Sequence, residues 1–193
     1  MRGMFRWELI GFLRRIDNQI NLVDFDSTTG QEIFGNLPGH VDVHGGEFVL
    51  DAAFTDEISG SASFTLSRSE NSVTELQINR VPQSLGKLVL DYHPVAMPFG
   101  LYGAMNFVGT TYDNPSGFGR TKYGNYAVFD IGARYFVDMD RHHRLDLGVR
   151  NLFDEVYNTS LAVGFPDDGV SPTYLAPFIG SPRTIYGSYT YRF

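Results

Sequence analysis

The sequence has 193 residues, 42% of them hydrophobic, and a mean hydropathy of -0.16; it contains no run of about 18 consecutive apolar residues, which excludes a helical membrane protein. The net charge of -7 argues against nucleic acid as a partner, because phosphate binding requires a basic face. The absence of cysteine excludes a disulfide framework, while 15% aromatic residues and 21 Gly favour strands and tight turns.

The first predicted strand, 4–16, places Phe5, Trp7 and Leu9 on one face and charged residues on the other. It does not read as a signal peptide, because Glu8 interrupts the apolar residues and no small-residue cleavage site follows. The same period-two alternation continues along the chain. It predicts seven further strands, at 40–54, 60–70, 81–92, 100–112, 125–138, 143–157 and 185–193.

The last of these strands alternates without interruption and stops on an aromatic residue. Ile185, Tyr189, Tyr191 and Phe193 share one face, and polar side chains occupy most of the other. A segment of about ten residues with this pattern is what a tilted strand needs to cross a hydrocarbon layer.

The connections between the strands alternate in length. They are short at 55–59, 93–99 and 138–142, and long at 17–39, 71–80, 113–124 and 158–180. Outer-membrane barrels show this asymmetry, with short periplasmic turns and long outer loops. We therefore expect both chain ends on the periplasmic side.

Charged residues lie at mid-strand positions on the face opposite the apolar one. They are Asp51, Lys87, Asp91, Asp130, Arg134, Arg144, Asp146 and Arg150. In a dry core each unpaired charge costs several kcal/mol, so this face should meet a hydrated lumen or a polar plug, and the apolar face lipid. A soluble antiparallel sheet with one solvated face has the same period, but strands of 12–15 residues, against a usual length of about 5–6, favour the membrane.

Residues 148–157, which read Gly-Val-Arg-Asn-Leu-Phe-Asp-Glu-Val-Tyr, resemble the penultimate-strand signature of TonB-dependent outer-membrane receptors. Three shorter matches, at 16–20, 45–47 and 80–82, and the segment 182–184 before the last strand agree in order with that family. The resemblance covers essentially the whole chain. It implies an all-β fold of about eight antiparallel transmembrane strands, roughly the last third of a barrel of about 22 strands.

The resemblance implies active uptake of a scarce solute, such as a ferric siderophore or cobalamin, across the bacterial outer membrane. No cofactor is expected. The family's signal, TonB box and plug domain are absent from this sequence, so we expect residues 1–193 to be a C-terminal barrel segment that reaches the TonB complex only through missing N-terminal parts. Alternatives are an autonomous eight-stranded structural or adhesion barrel and, less favoured, a lipid-active enzyme, for which no G-x-S-x-G motif is present.

Two groups of residues have predicted structural or sorting roles. In the family signature we expect Asn151 and Asp154 to hydrogen-bond backbone groups and hydrophobic neighbours to pack. The residues of this motif are Asn151, Leu152, Phe153, Asp154 and Tyr157. The resemblance implies that Tyr189, Tyr191 and Phe193 belong to a sorting signal read by the barrel-assembly machinery, with an interfacial aromatic anchor as the rival interpretation.

The long connections hold the candidate solute contacts, because function tends to lie on loops over a rigid scaffold. Aromatic faces and positive charge would suit an anionic ferric chelate, although such aromatics also pack against each other or lipopolysaccharide. The candidates are Phe118, Arg120 and Tyr123 in 113–124 and Phe165 and Tyr174 in 158–180.

Metal-binding patterns in the sequence are weak. His40, Asp42 and His44 share one face of a strand near its outer rim, but solvent exposure is the favoured interpretation, since no third element supplies a ligand. Asp138 and Asp140 resemble part of a calcium loop that lacks its Gly and distal Glu. His142 and His143 are expected to be solvated in the same turn.

Overall fold

The computed structural model describes residues 4–26, 31–115, 117–167 and 172–193, with the backbone alone for 22–26 and 32. The described part of the chain contains no helix long and apolar enough to cross a membrane. Its elements are twelve strands: β1 (Met4–Asp17), β2 (Ile20–Asp26), β3 (Gln31–Asn36), β4 (His40–Ala53), β5 (Ile58–Asn71), β6 (Ser84–Tyr92), β7 (Phe99–Asp113), β8 (Thr121–Phe136), β9 (His143–Arg150), β10 (Asn158–Gly164), β11 (Tyr174–Ile179) and β12 (Thr184–Tyr191).

Eight of the strands form one antiparallel sheet in the order β1-β4-β5-β6-β7-β8-β9-β12. The remaining four make two separate hairpins, β2 with β3 and β10 with β11. Within the described residues β1 and β12 do not pair with each other, so the sheet is open and these two strands are its edges. The prediction of an all-β fold with about eight antiparallel strands is confirmed. Five of these strands have 14 to 16 residues, whereas β6, β9 and β12 have only 8 or 9, shorter than the predicted 12–15.

The structure corrects the predicted boundaries at the end of β9, at the starts of two strands and in two connections. β6 begins at Ser84 instead of 81, and β8 at Thr121 instead of 125. The strand predicted at 143–157 is wrong beyond Arg150, where β9 ends, because Asn151 has a φ of 50° and the chain turns there. The connections 17–39 and 158–180, predicted as long loops, each contain a hairpin. Hairpin pairing satisfies backbone N–H and C=O groups in segments that stand beyond the main sheet.

Strand register gathers the apolar side chains on one face of the sheet. Trp7 pairs with Leu50, and the row continues across the neighbouring strands, because directly opposed residues of antiparallel strands share a face. From Leu50 the row passes through Ala62, Leu88, Met105 and Phe129. Most of the side chains on this face are not buried against other elements; Trp7 and Leu147, for example, are each 66% exposed. We call this surface the apolar face; an unbroken exposed patch of this kind marks an interaction surface.

The opposite surface, the polar face, carries the alternating charged and hydroxyl residues. Arg6 pairs in register with Asp51, and their side chains form an ion pair of 2.8 Å. On β8 and β9 Arg134 lies opposite Asp146, which lies opposite Ser188 of β12. The alternation predicted from the sequence therefore runs continuously across the sheet.

Two boundaries limit the apolar face. At the short-turn end rings pack in pairs, Phe5 with Phe54 at 5.8 Å and Tyr92 with Phe99 at 6.5 Å between centroids. At the long-connection end, Leu13 belongs to the last apolar row of β1. The next row on the same face is charged, because Arg15 pairs with Asp42. Residues 5–13 rise about 26 Å along the strand, or roughly 20 Å with a tilt of about 40°, close to the apolar band of about 25 Å in outer-membrane barrels.

Candidate functional site

Asn151 organises the turn that follows β9. Its side-chain Nδ2 donates to the carbonyls of Glu155 (2.9 Å) and Ser181 (3.0 Å), while Oδ1 accepts from the Glu155 N–H (2.9 Å). Its backbone N–H donates to a carboxylate oxygen of Asp130 at 2.9 Å. Asn151 is only 2% exposed, so one buried amide joins β8, the turn and the segment that leads into β12.

The rest of the family-like motif surrounds this amide. Asp154 accepts a hydrogen bond of 2.8 Å from the Arg183 N–H, and the Leu152 N–H donates to the Phe129 carbonyl at 2.7 Å. Phe153 packs edge-on against the ring of Phe129 at 5.3 Å on the apolar face. The Tyr157 ring lies 4.3 Å from that of Tyr126, at the base of the β10–β11 hairpin.

The polar face carries a network of rings and charges. The hydroxyls of Tyr102 and Tyr186 hydrogen-bond to each other, and the Arg150 guanidinium lies over the Tyr186 ring at 5.0 Å. Arg134 forms an ion pair with Asp91, and both side chains are only about a quarter exposed, at 26% and 25%. A wall of this kind suits contact with water or with another polar surface better than burial in an apolar core.

The candidate solute contacts fall into two groups. Phe118, Arg120 and Tyr123 lie on the β7–β8 connection and the start of β8. Phe165 and Tyr174 lie at the far end of the β10–β11 hairpin, where they are 68% and 54% exposed. Within the described residues no hydrogen bond or ring contact joins the two groups.

Arg120 is held in place on three sides. Its guanidinium stacks over the Tyr112 ring at 4.3 Å and donates to the Gln77 carbonyl (2.9 Å) and to Oδ1 of Asn79 (3.3 Å). This arrangement could not be predicted from the sequence, because Gln77 and Asn79 belong to a different connection, β5–β6. The two connections border a cavity of about 300 Å³ together with Leu37.

The rim group His40, Asp42 and His44 is not assembled as a ligand set. Asp42 accepts a hydrogen bond from Arg15 at 2.9 Å and lies 3.1 Å from the His40 ring. Asp42 lies beyond the apolar face, and its hydrogen bond to the Arg15 guanidinium lowers the pKa of its carboxyl below the usual value. His44 pairs in register with Leu13, and within the described residues it forms no hydrogen bond or ion pair with Asp42.

In the described part of the chain, the carboxylate and imidazole groups close enough for one ion are Asp138, Asp140 and His142, within 4.8 Å. The Asp138 carboxylate accepts the backbone N–H groups of His143 (2.8 Å) and His142 (3.0 Å). These hydrogen bonds, that of His143 first, lower the pKa of Asp138. Asp138 thus closes the tight β8–β9 turn.

The aromatic residues of β12 meet the histidines of that turn. The Tyr189 hydroxyl lies 2.6 Å from Nδ1 of His143, whose ring centroid is 4.8 Å from that of Tyr191. Tyr191 in turn packs against Phe193 at 4.9 Å, edge to face. The end of the chain therefore carries a cluster of rings at the short-turn end of the sheet.

Comparison with known proteins identifies a family and solved structures to which this chain is similar. A family model described as "TonB dependent receptor-like, beta-barrel" matches residues 2–152. Similar solved structures include the copper transporter OprC (19% identity, TM-score 0.73, 97% of this chain and 29% of that one) and the ferric yersiniabactin uptake receptor FyuA from Yersinia pestis (20%, 0.73, 96% and 27%). The pyoverdine outer membrane receptor FpvA from Pseudomonas aeruginosa PAO1 matches at 16% identity and a TM-score of 0.74, over 98% of this chain and 27% of that one. The chain thus spans less than a third of the length of these structures.

Proposed function

This chain belongs to the TonB-dependent receptor β-barrel family, and we propose from that premise that it forms about eight strands of the wall of a larger outer-membrane receptor. The observation that carries the proposal is the open sheet, in which β1 and β12 are both edge strands with one apolar and one polar face. Exposed edges of long strands pair readily with further strands. Eight strands closed on themselves would leave an interior filled by side chains, too narrow for a plug and a solute path.

The proposed activity is uptake of a scarce solute, with a ferric siderophore favoured over a cobalamin-like molecule. FyuA and FpvA, whose folds this chain shares in part, are receptors for ferric yersiniabactin and pyoverdine. The family and the structural neighbours are transport receptors, not enzymes. Coupling to a TonB complex would involve parts of the receptor outside these 193 residues.

The proposal assigns a role to each face. The apolar face contacts outer-membrane lipid and the charged face does not, because an Arg or Lys side chain that faced lipid would cost about 2–4 kcal/mol at the bilayer midplane. The polar face lines the lumen or contacts a plug. Solute contact is assigned to the exposed aromatics and cation of the long connections, which would lie on the outer side of the membrane. These residues are Phe118, Arg120, Tyr123, Phe165 and Tyr174.

The ring cluster at the end of β12 is proposed to serve assembly. Tyr189, Tyr191 and Phe193 form an exposed aromatic edge, with Phe193 fully accessible. Such an edge is available to the barrel-assembly machinery before the sheet closes. The turn around Asn151 is proposed as structural, because its polar groups are used in holding the chain.

The test is deletion of the coding region in the source organism, followed by uptake of radioactive iron supplied as chelates during iron starvation. We expect uptake of at least one chelate to fall about tenfold or more and to return when the unmodified chain is restored. The negative control is a chain that carries Leu88→Arg on the apolar face; restoring this variant in place of the unmodified chain should not restore uptake. Unchanged uptake of every chelate would contradict the transport proposal, and a heat-modifiable, protease-resistant band formed by residues 1–193 alone would show an autonomous barrel instead.

A further inference from the structure

A preformed cavity lies among three connections at the long-connection end of the sheet. Its volume is about 300 Å³, at the lower end of the range for small-molecule pockets. Leu37 comes from the β3–β4 connection, Asn79 from β5–β6, and Asn114 and Arg120 from β7–β8. A space of this size suits one functional group of a solute more than a whole large chelate.

Hydrogen bonds fasten two of these connections to each other. The Asn71 Nδ2 donates to the Pro38 carbonyl at 2.9 Å, and its Oδ1 accepts the N–H groups of Val73 (2.9 Å) and Thr74 (3.0 Å). The Ser72 N–H donates to the His40 carbonyl at 2.9 Å. One side of the cavity is therefore fixed before any ligand binds, which lowers the entropy cost of binding.

The third connection is fixed by Arg120 and by a neighbouring ion pair. Arg120 bridges to Gln77 and Asn79, as described above. Nearby, Arg80 donates through its backbone N–H to the Tyr112 carbonyl (2.7 Å) and through Nε to the buried Asp113 carboxylate (2.8 Å). Asp113 is 4% exposed, so this carboxylate is engaged away from the cavity.

The groups that remain for a ligand are mainly hydrogen-bond donors. Arg120 is the one charged residue among the described lining, and of its five N–H donors two are used by Gln77 and Asn79. The Asn79 Oδ1 is occupied by Arg120, which leaves the Nδ2 donors of that amide. The Asn114 side chain makes no hydrogen bond to a described residue. Donors around a fixed guanidinium match an oxyanion.

We propose that this cavity binds a carboxylate group of the transported solute, with Arg120 as the charge-matching residue and Asn79 and Asn114 as neutral donors. The inference rests on the proposed function and narrows its solute to carboxylate-bearing, anionic molecules, against neutral ones. A planar carboxylate fits the planar guanidinium in a two-point contact, which a tetrahedral phosphate fits less closely.

The test is calorimetric titration of citrate, inorganic phosphate and glycerol into the receptor purified in detergent from outer membranes with everything that accompanies this chain. We expect citrate to bind, phosphate to bind more weakly and glycerol to give no heat of binding. Arg120→Gln should weaken citrate binding about tenfold or more, as expected for loss of a charge-assisted hydrogen bond. Arg120→Lys should give an intermediate loss, because it keeps the charge without the planar fork.

Two further variants separate a loss of ligand binding from a loss of folding. Asn114→Asp adds a negative charge without removing a described side-chain hydrogen bond and should also weaken citrate binding about tenfold; it carries the test if Arg120→Gln fails to fold. Arg141→Gln, at the opposite end of the sheet over the Phe136 ring, should bind citrate as the unmodified protein does.

Citrate binding that survives both Arg120→Gln and Asn114→Asp would overturn the assignment. Phosphate binding as tight as citrate binding would overturn the choice of carboxylate. Neither result would touch the proposed receptor function, which fails only if the chain is absent from the outer membrane or if uptake does not depend on it.

Discussion

The hydroxyls of Tyr102 and Tyr186 hydrogen-bond to each other on the polar face, although Tyr102 lies on β7 and Tyr186 on β12, with two strands between them. The positions between them in the same cross-strand row are Gly132 of β8 and Gly148 of β9. The Tyr102 ring lies over Gly132 and the Tyr186 ring over Gly148, where a Cβ would meet ring atoms. A row of the form Tyr-Gly-Gly-Tyr thereby braces four strands with one hydrogen bond.

Gly148→Ala tests this brace. Its Cβ would lie 2.5 Å from the Tyr186 ring, so the ring must move and the hydroxyl contact with Tyr102 is lost. We expect the free energy of unfolding to fall by about 1–3 kcal/mol, as for overpacking elsewhere. The measurement is the urea midpoint in detergent, with Gly103→Ala as control, because its nearest neighbour would be the Asp130 carbonyl at an ordinary 3.8 Å. Equal midpoints for the two variants would contradict the brace.

Adjacent residues on β6 test the assignment of the two faces. Leu88 belongs to the apolar face and Val89, opposite Ser61, to the polar face. Leu88→Arg should cost about 2–4 kcal/mol in a lipid bilayer, whereas Val89→Arg should cost less than about 1 kcal/mol. Folding equilibria in lipid vesicles give both values. The reverse order of the two costs would mean that the faces are assigned the wrong way round.

Replacing Asn151 separates its side-chain role from its backbone role. Asn151→Gly keeps the positive φ but loses three side-chain hydrogen bonds at a buried site, and we expect a loss of about 2–4 kcal/mol. Asn151→Ala should cost about 1 kcal/mol more, because alanine resists the left-handed conformation. Thermal unfolding of both variants, compared with Asn106→Ala on the exposed polar face, makes the measurement. A glycine variant as stable as the unmodified chain would refute the structural role.

Acidification should loosen the β8–β9 turn. The Asp138 carboxyl has a pKa lowered in the fold by the backbone N–H groups of His143 and His142, so its ionised form is favoured by folding. This contribution is present above the unfolded pKa of about 3.8 and is lost as the pH falls through the lower pKa of the folded state. Asp138→Asn should show a smaller loss of stability below about pH 4 than the unmodified chain or Asp140→Asn. Parallel pH profiles for all three would contradict this prediction.

The period-two pattern predicted the main sheet well, because successive side chains of a strand point to opposite faces and here one face is apolar and the other polar. Phe48 and Phe64, for example, pair directly across β4 and β5 although their segments were identified separately. The predicted strand 143–157 ran past the end of β9. The alternation stops after Arg150, where polar and apolar residues follow in pairs, and the left-handed backbone of Asn151 breaks the strand there.

The contacts between connections could not be predicted from the sequence, for a different reason. Arg120 was identified as a candidate by its charge, but its partners Gln77 and Asn79 lie more than 40 residues away in a segment of no clear pattern. The pairing of Tyr102 with Tyr186 across 84 residues was equally hidden. Both depend on the register of the intervening strands, which a pattern within one strand does not fix.

Trp7 gives the most direct test of the central claim, that the apolar face touches lipid. It is the only tryptophan in the sequence and lies on the apolar face, 66% exposed. In vesicles of brominated lipid the fluorescence of Trp7 should be strongly quenched, while aqueous iodide should have little effect. The control is the double variant Trp7→Phe, Val89→Trp, which moves the tryptophan to the polar face. Its fluorescence should not be strongly quenched by brominated lipid or by any other acyl-chain quencher. Quenching of Trp7 by iodide together with insensitivity to brominated lipid would contradict the account.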